Sequence, residues 1–495
     1  MEQDFLTMKN LSKCNLSARR LALEILVKVD QRTSFANSAI EEGFKRKKLE
    51  ARDRAFVTAL VFGVIRNRLT LDKTIAGLSS RPIEKLPKVL TNILRLGIFQ
   101  LDCMDDIPPS AVLFTSVELA KMVGHIGLSR FANGLLRTYL SSKVASEAKT
   151  IDDIASDKEI DYQDKATTDL NVLADTYSMP EWMVKRWSER YGLKQTIALL
   201  RYYKSTPDLV LRICPNATSI DDFKSILGQG QIDYKIGGLV TSCFIIKRGN
   251  KAISPQNIAG FNEGVFTIQD EPSAFVAVVT DPKPGELIID LCAAPGGKSL
   301  HLAELMHNTG QVIAVDRADR RFKWLRDNRG RFRLTNLQLV VADGRTFSFP
   351  KLADRVLVDA PCSGTGVLNR RPDLRYRLNP SDIDQLVSLQ RELLNNAAKL
   401  VKPGGILVYS TCSIEPEENI DNVKWFLANH KHFQVVDITS YIPGETLQQW
   451  LGAEANEQRK ETIKAQVEQG YIQLLPSSHG TSGFFIAKMQ VNSND

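Results

Sequence analysis

No apolar run in this sequence approaches the ~20 residues that a helix needs to span a bilayer, so no membrane association is expected. Residues 1–14 mix acids and bases without an apolar stretch or a small-residue cleavage site, so no secretory signal is read there and a cytoplasmic location is expected. CxxC pairs are missing. The seven cysteines, at positions 14, 103, 214, 243, 292, 362 and 412, are scattered and odd in number, which argues against a disulfide framework and a zinc site and leaves free thiols. No metal ligand set is read. The patterns GxGxxG and GxxxxGK are also absent, which weakens a nicotinamide reading and excludes a Walker loop. Internal repeats and low-complexity tracts are lacking as well.

With 495 residues the chain exceeds one ordinary core, and about three domains are expected. Its formal net charge of +7 is unevenly spread: residues 1–150 hold 24 Lys and Arg against 15 Asp and Glu, and the remainder 40 against 42. A basic excess confined to one region suits a phosphate-binding accessory domain; the alternative is a solvated helical surface. Apolar spacing over 17–142 is helical, as in Leu21, Ala22, Ile25, Leu26 and Val29, with breaks at 79–82 and at Ile107-Pro108-Pro109. This predicts an all-α N-terminal domain over 1–144. Residues 145–172, rich in Asp, Ser, Thr and Lys with little to bury, read as a linker or insertion.

Trp182 and Trp187 lie in an amphipathic run, where helix packing is favoured over base stacking. Short pieces at 209–213, 219–227 and 244–247 then predict a small α+β middle domain over 173–262, in which no chemistry is apparent. Over 263–495 the strands 287–291, 312–316, 337–342, 355–359 and 406–409 alternate with helical sequence. That order predicts a Rossmann-like α/β domain with a mostly parallel, doubly wound sheet, its ligands lying beyond the carboxyl ends of the strands.

The first of these strands runs into Cys292-Ala293-Ala294-Pro295-Gly296-Gly297-Lys298. Gly296 and Gly297 allow conformations and close approaches that a Cβ would forbid, and the helix that follows opens with unpaired amides. An anionic or carboxylate-bearing ligand fits. Asp316 ends the second strand, placed to accept hydrogen bonds from two ribose hydroxyls, and Asp343 ends the third, facing an adenine amino group. Each acid alone reads equally as a cap; the three strand ends together favour an adenosine ligand.

The fourth and fifth strands end in Asp359-Ala360-Pro361-Cys362-Ser363-Gly364-Thr365-Gly366 and Tyr409-Ser410-Thr411-Cys412-Ser413. Two cysteines therefore reach one rim. Either alone reads as packing, but both follow strands into polar loops, and a thiolate is the natural nucleophile of such a site. An adenosine cofactor, a nucleophilic Cys and an acid suit methylation of cytosine C5: thiolate addition at C6 converts that poor nucleophile into an enamine carbon. An acid near N3 would stabilise the adduct, and a base must remove the C5 proton before the thiol leaves.

Four stretches in order, Asp53-Arg54-Ala55-Phe56, Leu94-Arg95-Leu96-Gly97-Ile98-Phe99-Gln100-Leu101, Ser116-Val117-Glu118-Leu119-Ala120-Lys121 and Phe131-Ala132-Asn133-Gly134-Leu135-Leu136-Arg137, resemble the NusB-like RNA-binding helical domain. The cysteine-bearing loops, the opening glycine loop, Gln269-Asp270-Glu271-Pro272-Ser273-Ala274, Pro416-Glu417-Glu418-Asn419 and Leu475-Pro476-Ser477-Ser478-His479-Gly480-Thr481-Ser482-Gly483-Phe484-Phe485 resemble bacterial RNA cytosine-C5 methyltransferases. Together the resemblance covers nearly the whole chain and is to the NusB-domain-containing type acting on 16S rRNA, which modifies cytosine 967.

It implies S-adenosylmethionine as cofactor, unassembled 16S rRNA as partner and a monomer. It also implies Cys412 as the nucleophile, Cys362 in product release, as or alongside the C5 base, and Asp359 as a cytosine contact. Cys292, Ala293, Ala294, Pro295, Gly296, Gly297 and Lys298, with Asp316, Asp343 and Asp359, would form the cofactor pocket. Lys298 touches either the cofactor or Asp359. DNA cytosine methyltransferases use the Pro-Cys cysteine instead; the family resembled here uses the Thr-Cys one.

The basic tract Asn369-Arg370-Arg371-Pro372-Asp373-Leu374-Arg375-Tyr376-Arg377 is read as a phosphate contact. The chain departs from the family at 145–172 and at Leu211-Arg212-Ile213-Cys214-Pro215, where Arg-Val-Asn is usual. Competing readings are a non-catalytic RNA-binding or antitermination factor, a tRNA methyltransferase and, more distantly, a nicotinamide oxidoreductase.

Overall fold

The structure is a computed structural model that describes residues 2–146, 169–247, 253–453 and 457–492. The expected linker, 145–172, falls largely outside those residues. By its internal contacts the chain divides into one unit of Met1–Thr206 with Leu368–Arg377 and another of Pro207–Val367 with Leu378–Asp495.

The first unit is helical: α1 (Glu2–Asp30), α2 (Ala36–Arg46), α3 (Ala51–Arg66), α4 (Arg68–Leu78), α5 (Lys88–Cys103), α6 (Pro109–Val123), α7 (Ile126–Ser146), α8 (Leu170–Thr176), α9 (Glu181–Tyr191) and α10 (Leu193–Lys204). Both proline-marked breaks separate helices, and Pro109 opens α6, where a missing N–H leaves no intrahelical bond unmade. Leu21, Ile25, Leu60, Val64, Leu94, Ile98 and Leu136 point into one core. Trp187 is fully buried with its ring 5.5 Å from that of Tyr203, so it packs rather than offering a stacking face.

The basic tract differs from its reading. Arg375 is fully buried and donates to the carbonyls of Ser178 (3.1 Å), Tyr203 (3.1 Å) and Leu368 (3.2 Å). Asp373 is buried too, its Oδ2 accepting from the Ala36 amide at 3.0 Å. It thereby serves the start of α2, where Phe35 provides no side-chain cap. A tract that is basic in sequence is thus largely an internal strut, because a guanidinium can satisfy several main-chain carbonyls at once. Arg371 is its exposed member.

The second unit begins with β1 (Leu209–Ile213), α11 (Ile220–Gln229), β2 (Tyr234–Ile236), β3 (Cys243–Ile246) and β4 (Phe266–Ile268), whose strands form an antiparallel sheet in the order β2-β3-β1-β4. One face packs on Phe223 and Leu227 of α11. The other sends Val210 and Cys243 into the core of the larger sheet. Arg212 is fully buried on β1. It makes a two-pronged ion pair with Glu304 (2.6 and 2.9 Å) and donates to Gln269 Oε1 (2.6 Å).

The larger sheet contains β5 (Leu287–Asp290), β6 (Gln311–Asp316), β7 (Leu337–Val341), β8 (Ala353–Asp359), β9 (Val401–Thr411), β10 (Phe433–Val435), β11 (Tyr471–Leu474) and β12 (Phe484–Val491). Its path is β10-β12-β9-β8-β5-β6-β7, with β11 also paired to β12. The neighbours from β9 to β7 are parallel; β12 joins β9 antiparallel. Helices α12 (Glu271–Thr280), α13 (Gly297–Leu305), α14 (Lys323–Arg331), α15 (Pro380–Ala398) and α16 (Ile420–Asn429) accompany the sheet. Alternate residues feed its two faces: Ile288, Val312, Ala314, Leu357 and Val408 on one, Ile289, Ile313, Val315, Val356 and Leu407 on the other. Burial on both sides explains why these strands read as continuous apolar runs. The chain leaves β5 for β6 and β7, then returns to β8 on the opposite side, so the carboxyl ends of β5 and β8 flank a topological switch point. Among the described residues no helix is long and apolar enough to cross a membrane.

Candidate active site

Strand register brings the two predicted cysteines together. In the β8–β9 pairing Asp359 lies opposite Ser410, so Cys362 and Cys412 leave adjacent strands at one level, and their Sγ atoms stand 3.3 Å apart. Above them the Gly366 amide donates to the Cys412 carbonyl and the Gly483 amide to the Gly366 carbonyl, each at 2.9 Å. A Cβ at Gly366 would stand 2.1 Å from the Gly483 oxygen, so only glycine admits this closure.

Beneath the thiols lies an acid that spacing did not single out. Glu418 is fully buried and accepts from the Ser363 amide (2.8 Å), the Ser363 and Ser413 hydroxyls (2.5 Å each) and Gln390 (3.0 Å). It ties the residue after Cys362 to the residue after Cys412. Burial raises its carboxyl above the ordinary range, against the pull of those hydrogen bonds. The hydrogen bond with Cys412, then burial, then the nearby Glu418 and Asp359 carboxylates hold the Cys362 thiol well above its usual range.

Asp359 ends β8 and is oriented from two sides: Lys298 Nζ donates to Oδ2 at 2.8 Å and Ser410 Oγ to Oδ1 at 2.9 Å. Lys298 also donates to Ser273 (3.1 Å) and lies over the Phe484 ring at 4.9 Å. The expected contact between Lys298 and Asp359 is therefore made.

On the donor side, Gly296 adopts φ 111°, and a Cβ there would meet Leu325 at 2.5 Å. Gly297 opens α13, which has no side-chain N-cap bond; a Cβ on Gly297 would meet only Gln269, at 3.6 Å. Asp316 is buried, accepting from the Ala294 amide (3.2 Å) and from Arg321 (2.9 Å). Asp343 is paired instead with Arg345, whose hydrogen bonds hold its carboxyl down at about 2. Below the loop Asp290 is fully buried; burial pushes its carboxyl up to about 7, the Ser299 hydroxyl at 2.6 Å partly offsetting this. Cys292 is half-buried and its thiol is raised, chiefly by burial. Among the described residues no group of three or more His, Cys, Asp or Glu side chains is arranged to hold a metal ion.

Residues 277–490 match the family model described as 16S rRNA methyltransferase RsmB/F, residues 16–141 the NusB family, and 179–252 the ferredoxin-like domain of RsmF/B-like methyltransferases. A probable ribosomal RNA small subunit methyltransferase B of Synechocystis is 36% identical over 479 residues, 96% of this chain and 99% of that protein. The chain belongs to the RsmB/F family of 16S rRNA methyltransferases. A second relative of the same name, from Bacillus subtilis, is 33% identical over 96% of this chain and 98% of its own.

Among solved structures, that of PH0851 superposes with a TM-score of 0.74 at 27% identity, covering 96% of this chain and 98% of that one. A methyltransferase homolog protein from Pyrococcus horikoshii gives 0.54 at 29%, covering 66% and 99%. The expected architecture therefore stands: a NusB-like helical domain, an α+β middle domain of ferredoxin-like type, and a methyltransferase domain with a mixed sheet. The family is one of S-adenosylmethionine-dependent enzymes that methylate ribosomal RNA.

Glu418, Ser273 and Ser410 were not identified by spacing as site residues. Glu418 was visible only inside Pro416-Glu417-Glu418-Asn419, where nothing local distinguishes the inward acid from its neighbour.

Proposed function

We propose that the protein methylates C5 of a cytosine in 16S rRNA through a covalent bond between Cys412 Sγ and C6 of the base. The observation that carries this reading is the pair of thiols 3.3 Å apart beside an Asp359 carboxylate held by Lys298. Cys412 adds to C6, and the electron pair of the C5–C6 double bond makes C5 nucleophilic. Asp359 hydrogen-bonds the cytosine ring and orients it for the attack. After methyl transfer, loss of the C5 proton restores the double bond and breaks the Sγ–C6 bond. Cys362, with its Sγ 3.3 Å from that of Cys412, is placed to serve this release step, as or alongside the base that accepts the C5 proton.

S-adenosylmethionine, when bound, supplies the methyl group. Cys292 to Lys298, with Asp316, Asp343 and Asp359, would hold it. The glycine loop suits such a ligand, because the uncapped amides of α13 favour a carboxylate and Gly297 leaves space before them. A base that must meet Cys412 has to leave its stack, so the target is single-stranded or flipped RNA. Cytosine 967 of unassembled 16S rRNA is the expected position, with the enzyme a cytoplasmic monomer and domains at 1–144, 173–262 and 263–495.

Labelled methyl transfer from S-adenosylmethionine to unmodified 16S rRNA tests the reaction; transfer to tRNA alone would redirect the substrate. Cys412→Ala is expected at background, and an active variant would refute the covalent route. Cys362→Ala should accumulate a slow-migrating protein–RNA species on denaturing gels; its absence removes Cys362 from release.

A further inference from the structure

Within the helical unit, the turn between α1 and α2 and the inserted Leu368–Arg377 segment gather guanidinium groups around an exposed ring. Phe35 is 42% exposed. Arg377 lies 4.3 Å and Arg371 5.9 Å from its ring centre. Arg32, also exposed, donates to the Tyr376 carbonyl at 3.0 Å. The acid facing them, Asp373, is 3.9 Å from Arg377 Nε, and the same oxygen already accepts from the Ala36 amide. Arg377 donates to the Ser34 carbonyl, but its buried Nε lacks a hydrogen-bond partner. Burial and the positive charge of Arg32 both disfavour the charged form of Arg377, against the attraction of Asp373.

Guanidinium groups gathered on one surface, with a single buried acid among them, attract an anion. An exposed phenyl beside them is a surface on which a base can stack, and guanidinium groups bind phosphate with several donors. This pairing of a ring face with cations fits single-stranded RNA better than a small anion, which would not use the ring. We propose that Phe35, Arg32 and Arg371 form a docking surface for 16S rRNA, with a base on Phe35 and backbone phosphates on Arg32 and Arg371. The proposal rests on ribosomal RNA being the substrate, and supplies contacts additional to those with the reacting base.

Filter binding of full-length protein to unmodified 16S rRNA transcript, from about 50 to about 200 mM salt, tests this with Arg371→Glu, Arg32→Glu and Phe35→Ala. Each charge reversal should weaken binding and reduce the slope of log affinity against log salt by about 1. Phe35→Ala should weaken binding roughly tenfold with the slope unchanged. In turnover, KM for RNA should rise while kcat and S-adenosylmethionine affinity stay at wild type, and Arg371→Lys should restore the slope. Wild-type affinity and slope in both charge-reversed proteins, with melting temperatures showing them folded, would overturn the proposal. The salt slope is read without any methyl transfer, so a wild type that binds RNA but transfers no methyl sinks the proposed reaction and leaves this test decisive.

Discussion

The substrate side of the sheet rim and the donor side are built by opposite means. Around Cys362 and Cys412 the loops are cross-tied by buried side chains, with Glu418 joining Ser363 to Ser413 and Thr411 donating to Asn419 at 2.5 Å. Around Gly296 and Gly297 the surface is mostly main chain, with Asp316 holding the Ala294 amide from behind and Asp343 40% exposed. The contrast follows from what each side must do. In the proposed mechanism, adduct formation and release require two thiols and an acid held in fixed geometry, whereas a donor consumed at every turnover needs a surface it can enter and leave.

The strongest test is Glu418→Ala, which strips the acceptor from two hydroxyls, an amide N–H and Gln390 in a dry interior. A loss of about 3–5 kcal/mol is expected from urea unfolding, with kcat reduced and S-adenosylmethionine affinity retained. Loss of donor binding in a folded Glu418→Ala protein would break the separation of the two sides.

Gly296→Ala should cost about 1–3 kcal/mol, since it forces a side chain at φ 111° into Leu325, and calorimetry should show weaker donor binding. Gly297→Ala, with no contact closer than 3.6 Å, should change stability by less than about 1 kcal/mol, so equal losses at the two glycines would refute the local account.

Asp290 gives a pH-dependent test. Its folded carboxyl is raised to about 7 from an ordinary 3.8, so the folded state binds the extra proton between those values. This contribution to stability is fully present below about pH 3.8 and is lost as pH rises through about 7. Asp290→Asn removes the dependence, so thermal melts should show the variant gaining on wild type between pH 5 and pH 8. A constant difference would place the carboxyl elsewhere on the scale. The smallest effect is expected from Asp343→Asn: an unchanged melting temperature, because its ion pair is exposed, but several-fold weaker donor binding.

Much of this architecture was legible along the chain. The five parallel strands announced themselves because burial on both faces demands unbroken apolar runs, and prolines marked the breaks between helices. The glycine loop, the two cysteines and the acids at strand ends were visible because turns and reactive groups require particular residue types. Arg375 and Glu418 were not. A basic tract looks solvated until main-chain carbonyls from distant residues surround it, and Glu417 and Glu418 are indistinguishable until one faces Ser363. The pairing of Lys298 with Asp359 likewise needed the position of Asp359 across the sheet.

The sequence by itself determined the family, the order of domains and the chemical groups available at the rim, since these depend on composition, spacing and local turn geometry. Tertiary structure decided which groups meet and in what state. The β8–β9 register sets the two sulfurs 3.3 Å apart. Neighbours drawn from remote strands, together with burial, raise the Cys362 thiol and lift Asp290 to about 7. Register and desolvation are properties of the packed fold, and no local stretch of residues contains them.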